Sequence, residues 1–297
     1  MRIGIPRSFY YHQYPKLWET LFRELGHEPV VSGASTARTI GAAASVTEAE
    51  HCLPNKLFDG HVASLEGRVD AVFIPRVISM VKGHIACPRF GALPEATRDG
   101  VARDIPVLSI VLNVTKEPLE RTLRRLGREL GAGRREAGRA AVRALEAMRR
   151  WESAHRDRQE SGGGGKRFLV LGHPYALRDE FVAAPVLRKL EALGAAVEEV
   201  TFENRDFEPD DILWCGFRIM RDRLKHLDPA RYAGVVQIST FNCGADSMMI
   251  EKFRRLCARG SIPYMVIMVD EHTGTAGIDT RLEAFVDSLA WKDAVRG

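Results

Sequence analysis

Arg167-Phe168-Leu169-Val170-Leu171-Gly172 runs straight into His173-Pro174-Tyr175, and this stretch decides the fold. Its apolar residues are consecutive rather than alternating, as in a strand covered on both faces of a parallel sheet. Residues 183–193 then show helical periodicity, Gly194 stops the helix, and residues 196–202 read as the next strand. Outward from there the pattern repeats. A helix over 210–227, a strand over Gly234–Thr240, a helix over 247–258 and a strand over 263–270 are expected. The chain closes on a helix over 280–289, where Thr280 and Glu283 fit a capping box.

The first half opens the same way. Residues 2–6 form a short apolar strand, and Leu17, Trp18, Leu21, Phe22 and Leu25 mark a helix over 14–25. Gly26 ends that helix, and strands over 28–32, 70–75 and 106–112 follow. Leu25-Gly26 and Leu193-Gly194 stand at matching places, which points to a duplicated plan. The expected fold is α/β, with two Rossmann-like doubly wound parallel-sheet domains facing a central cleft. The N-terminal α/β domain covers 1–114 and the C-terminal one 166–297. Between them, 115–165 is an Arg-rich helical connector ending in a Gly linker. The run Ser161-Gly162-Gly163-Gly164-Gly165-Lys166 is not a phosphate loop, because it precedes a strand instead of following one.

Composition narrows the function classes. The 297 residues are 45% hydrophobic and 28% charged, with no apolar run long enough for a membrane span. The N-terminus has no apolar signal core, so a cytoplasmic protein with reduced thiols is expected. The net charge is +4, yet residues 115–160 hold 13 Lys+Arg against 8 Asp+Glu, so the surplus lies on one helical stretch. Without interleaved aromatics that stretch reads as a solvated helix face, and nucleic acid is not an expected partner.

Ligands of open α/β sheets bind beyond the carboxyl ends of the strands. There the unusual residues fall: Arg7 after the first strand, His84 and Cys87 after 70–75, His173 and Tyr175 after 167–172, Cys243 after Gly234–Thr240, and Glu271 and His272 after 263–269. Cys52, Cys87 and Cys243 are each followed by Pro or Gly within two residues and lie outside any periodic apolar segment. Cys215 and Cys257, on expected helices, read as packing residues. Five scattered cysteines argue against a disulfide framework, and the lack of any C-x-x-C pair argues against a structural zinc site. His61 reads as structural. One open alternative is a Cys-dependent hydrolase, in which a helix N-terminus favours the Cys243 thiolate and His272 or His173 is the base.

Several motifs carry a family resemblance: Ile3-Gly4-Ile5-Pro6-Arg7, Cys52-Leu53-Pro54-Asn55-Lys56 with Gly60-His61, Ala86-Cys87-Pro88, Gly172-His173-Pro174-Tyr175, Phe241-Asn242-Cys243-Gly244-Ala245-Asp246-Ser247, and Asp270-Glu271-His272-Thr273-Gly274 with Thr280-Arg281-Leu282-Glu283-Ala284-Phe285. The chain resembles proteins related to the activase and dehydratase components of 2-hydroxyglutaryl-CoA dehydratase. The resemblance spans nearly the whole chain outside the Arg-rich connector. It implies two Rossmann-like domains with an iron–sulfur cluster between them, either 4Fe-4S or a linked double-cubane cluster, and thiolates suit such clusters. By position, Cys52, Cys87 and Cys243 are its ligands, and His173, Tyr175, Glu271 and His272 line the site as catalytic candidates. It further implies low-potential electrons from a separate ATP-hydrolysing activase or reductase, and a homodimer or a dehydratase-like companion subunit. The implied chemistry is that of a lyase or reductase component; a non-catalytic cluster-carrying or partner-docking subunit is the other option.

Overall fold

Pro75 and Gly60 show how local chemistry shapes the architecture. The computed structural model describes residues 1–156, 166–200, 214–272 and 274–296. In chain order the first part contains β1 (Arg2–Ile5), α1 (Tyr10–Gln13), α2 (Pro15–Glu24), β2 (Glu28–Val31), α3 (Ala37–Ala43), α4 (Leu53–Ala63), β3 (Ala71–Phe73), β4 (Arg76–Ser79), α5 (Pro88–Gly100), β5 (Val107–Leu108), β6 (Val111–Asn113), α6 (Leu119–Glu129) and α7 (Arg134–Arg156). The second contains β7 (Arg167–Leu171), α8 (Pro174–Leu177), α9 (Ala184–Ala192), β8 (Ala196–Glu199), α10 (Cys215–Lys225), β9 (Gly234–Thr240), α11 (Gly244–Arg259), β10 (Tyr264–Val269) and α12 (Ala276–Arg296). The linker at 161–165, the end of the strand expected over 196–202 and the start of the helix expected over 210–227 lie outside the described residues.

Contacts divide the chain into two compact units. The first holds Met1–His155 together with Trp214 and Cys215; the second holds 166–200 and the described residues from Gly216 onward. The connector helices α6 and α7 therefore belong with the first unit. Their Leu123, Leu126, Ala137, Ala140, Ala141 and Ala144 are buried, while the arginines of the opposite face stay exposed, so the charged stretch is an amphipathic cover and not a free spacer.

Each unit has one four-stranded, wholly parallel sheet. The order is β2-β1-β3-β5 in the first and β8-β7-β9-β10 in the second. Numbered by appearance within each four-stranded sheet, both are 2-1-3-4, the doubly wound order whose switch point lies between the first and third strands. Two Rossmann-like parallel α/β units are thus the observed fold class. The interior of β7 is fully apolar, with Phe168, Leu169, Val170 and Leu171 all at 0% exposure. Covering helices bury Trp18 and Phe22 against Phe73 in the first unit and Phe253 against Phe217 in the second.

Two expected boundaries shift. Pro75 has no N–H to give the ladder, so the strand expected over 70–75 ends as β3 and resumes as β4. Its partner splits alike, and β4 pairs with β6 as a small parallel extension. The last helix begins at Ala276, so Thr280 is an interior residue whose Oγ1 donates to the Ala276 carbonyl at 3.0 Å and is no N-cap. Gly60 is required by close approach: a Cβ there would stand 2.0 Å from the Thr39 carbonyl oxygen of α3.

Candidate functional site

All three cysteines singled out from the sequence stand at the N-cap of a helix. Cys52 caps α4, Cys87 caps α5 and Cys243 caps α11. Pro54 and Pro88, just after Cys52 and Cys87, now have a local reason, since Pro is preset for the first helical turn. Each thiol is half-buried, and no disulfide joins them. Unsatisfied N–H groups at a helix N-terminus favour anionic ligands and groups. Cys52 and Cys87 belong to the first unit and Cys243 to the second.

Cys257 differs. It is buried on α11, and burial pushes its thiol up to about 12, which matches its reading as a packing residue. Cys215 is half-buried at the first residue of α10 and not in the core. The Tyr10 hydroxyl is raised well above its ordinary value by burial first, and then by Tyr14, Cys215 and Cys87. Cys87 and Cys215 are therefore electrostatic neighbours of the same buried phenol.

In the first unit the crevice beyond β1 and β3 is aromatic. Pro6, Phe9, Tyr10, Phe58, Phe73 and Phe90 line a pocket there. Phe9 meets Phe58 with ring centres 5.3 Å apart and Phe90 edge-on at 4.8 Å. Its φ of 48° is a conformation that bulky side chains rarely adopt, held by the packing around it. Around the start of α4, buried Asp59 accepts from Thr47 Oγ1 at 2.7 Å and Asn55 Nδ2 at 3.0 Å, with His51 Nδ1 3.4 Å away. Burial raises the Asp59 carboxyl above its usual range, against the opposing pull of Thr47 and His51. His61 is held between Ser32 and Ser35 at 3.0 and 2.9 Å, the structural role expected of it. The Arg7 main-chain N–H donates to Ser32 Oγ at 2.8 Å, and His84 Nδ1 lies 3.0 Å from the Lys82 carbonyl.

In the second unit the crevice beyond β7 and β9 is polar. Gly172 ends β7, and a Cβ on it would press to 2.9 Å from Leu177, so the chain turns tightly into His173. Asn242, in the left-handed region at φ 59°, turns β9 into Cys243. Asp246 follows three residues later in the first turn of α11, on the face of the N-cap. His173, Cys243 and Asp246 each offer a ligand atom, and these atoms all lie within 4.8 Å of one another. His173 Nε2 is 3.3 Å from Asp246 Oδ1. That nitrogen is shielded from solvent and makes no hydrogen bond among the described residues. Asp246 Oδ2 accepts from Ser239 Oγ at 3.0 Å and the Thr240 N–H at 3.3 Å. The His173 ring stacks on Tyr175 at 4.8 Å and meets Phe217 edge-on at 4.7 Å.

Of the four expected catalytic residues, His173 and Tyr175 are thus packed together beside Cys243. Glu271 and His272 follow β10. Glu271 is half-buried, while the His272 side chain is 81% exposed and pairs with Asp270 at 3.1 Å. Asp246 was not among the candidates; its signal was the three-residue spacing from Cys243 at a helix start.

Fold and site define a parallel α/β protein of two like units that presents three of its five thiols at helix N-caps. The chain belongs to the family described as CoA enzyme activase uncharacterised domain (DUF2229), whose model matches residues 2–202, about two thirds of the length. That stretch includes Cys52, Cys87, His173 and Tyr175 and stops short of Cys243. No curated protein matches the chain. Among solved structures, the SBP FpvC from Pseudomonas aeruginosa in complex with Mn2+ is 15% identical, covering 97% of this chain and 99% of that one, with a TM-score of 0.30. ZnuA is 10% identical, covering 99% and 98%, with a TM-score of 0.30. Scores this low assign no chemistry to the present chain. Among the described residues no helix is long and apolar enough to cross a membrane.

Proposed function

We propose that this chain is an iron–sulfur component of a CoA-enzyme activation system, with Cys52, Cys87 and Cys243 as the thiolate ligands. The observation that carries the reading is the shared placement of these cysteines. The chain belongs to an activase-related family, and in it each of the three is a half-buried helix N-cap, while Cys257 is sealed in a core. The donor set fits the group, since thiolates are the ligands iron–sulfur clusters use. Bound there, a cluster supplies low-potential one-electron transfer for a reductive or dehydration reaction. The protein's own residues give the thiols their surroundings. Helix N-termini favour the negative charge, Tyr10 borders Cys87, and His173 and Tyr175 wall the side of Cys243. The electron donor in this reading is a separate ATP-hydrolysing activase.

Anaerobic purification with iron and sulfide assays and a visible spectrum tests the reading. A brown protein with acid-labile sulfide is the expected result; a colourless, iron-free protein after reconstitution sinks it. The His173, Cys243 and Asp246 grouping favours one other reading, a thiol hydrolase with Cys243 as nucleophile. A thiol-directed acyl probe whose labelling is lost in Cys243→Ala alone separates the two.

A further inference from the structure

We infer that the second unit holds a site for a single divalent transition ion of the Zn2+ class, formed by His173, Cys243 and Asp246. This goes beyond the cluster reading, because it draws every donor from one unit and needs neither Cys52 nor Cys87. A single ion and a cluster are alternative occupants of the Cys243 thiolate.

Spacing is the first argument. Nitrogen and oxygen ligands bind zinc at about 2.0–2.1 Å, so two of them on a tetrahedral ion stand about 3.3–3.4 Å apart. His173 Nε2 and Asp246 Oδ1 are 3.3 Å apart, and the Cys243 sulfur falls within the same small cluster. The two atoms are spaced as co-ligands but do not form a hydrogen bond with each other. A buried imidazole nitrogen that makes no hydrogen bond, beside a carboxylate oxygen 3.3 Å away, is a position that a shared cation satisfies.

The support behind the donors is the second argument. Metal ligands are usually oriented by groups one layer further out. Ser239 Oγ and the Thr240 N–H both bind Asp246 Oδ2, which leaves Oδ1 to face His173. Tyr175 and Phe217 clamp the imidazole plane from two directions. Asp246 is 3% exposed and the His173 side chain 14%, so little water competes for them.

Donor chemistry selects the ion. A thiolate, an imidazole and one carboxylate disfavour Mg2+ and Ca2+ and suit Zn2+ or its neighbours. Three protein ligands leave a fourth position open, the arrangement of a zinc centre that works on a bound water or substrate. The missing C-x-x-C pairs do not weigh against it, because His173 follows β7 while Cys243 and Asp246 follow β9, so the site draws on two separate post-strand segments.

Co2+ titration of the full-length Cys52→Ala/Cys87→Ala chain, stripped by chelator, tests the site. The expected result is one Co2+ per chain, a thiolate-to-cobalt charge-transfer band, and displacement by Zn2+. His173→Ala and Asp246→Asn should each weaken Co2+ binding at least tenfold, and Cys243→Ser should alter the band. If Asp246→Asn loses its circular-dichroism spectrum, His173→Gln decides in its place. Absence of the band, or affinity unchanged in both the His173 and Asp246 variants, overturns the inference. Iron–sulfur reconstitution of the unaltered chain is a separate arm, so the cluster reading can fail while the Co2+ site stands, or the reverse.

Discussion

The crevices at the two switch points share a backbone plan and differ in what they hold. Beyond β1 and β3 the first unit packs Phe9, Tyr10 and Phe90; beyond β7 and β9 the second gathers His173, Cys243 and Asp246. The helix after the third strand starts at a cysteine in both, Cys87 in one and Cys243 in the other. Strand order places a crevice at the carboxyl ends, and the side chains of the loops decide its chemistry. One crevice is filled by packed rings, the other by side chains of ligating chemistry.

The largest expected effect tests what the cysteines of both units do together. Single Ala changes at Cys52, Cys87 and Cys243 should each abolish cluster content, measured as iron and labile sulfide per chain. Retention in any one of them removes that residue from the ligand set. Next, the crevices should respond oppositely to truncation. Phe90→Ala should cost about 3–5 kcal/mol in chemical denaturation, because a buried aromatic ring leaves a cavity. His173→Ala should cost only about 1 kcal/mol while removing the ligand nitrogen. Comparable losses in the two variants would break the comparison.

A smaller effect concerns the sheet of the second unit. Glu198 on β8 accepts from Tyr232 at 2.6 Å and pairs with Arg223 and with Arg167. Burial raises its carboxyl, but the Tyr232 and Arg223 hydrogen bonds outweigh it, and the group titrates below the usual carboxylate range. A depressed carboxyl gives stability that is present above its unfolded value and is lost as pH falls through the folded one. Glu198→Gln should therefore cost about 2 kcal/mol near neutrality and progressively less in acid, read from denaturant midpoints across pH. The last effect leaves stability and cluster content untouched. With its thiol pushed up to about 12 by burial, Cys257 should alkylate more slowly at pH 8 than the half-buried thiols. Peptide mapping after brief iodoacetamide treatment should find label on other cysteines first.

Much of the fold was legible because strands buried on both faces are written as largely apolar, non-alternating segments. The run over Gly234–Thr240 is a strand with all seven residues buried, and Leu25-Gly26 and Leu193-Gly194 mark real helix ends, with both glycines at φ 76°. The break at Pro75 was readable in principle from its missing N–H. The early start of α12 was not, since Thr280 and Glu283 are compatible with either a cap or an interior turn. The loops carrying His173 and Cys243 were found from the rule that ligands gather after strands.

Local patterns in the chain were enough for the two parallel α/β halves and for the marking of Cys257 as a packing residue, whereas the helices that start at Cys52 and Cys87 emerged only in the structure. Periodicity, Pro and Gly act over a few residues, and those outcomes depend on nothing further away. The pairing of strands as 2-1-3-4 twice over, the docking of α6 and α7 onto the first unit, and the meeting of His173 with Asp246 required the tertiary structure. His173 and Asp246 are far apart in sequence, and only the lateral pairing of β7 with β9 brings their loops together.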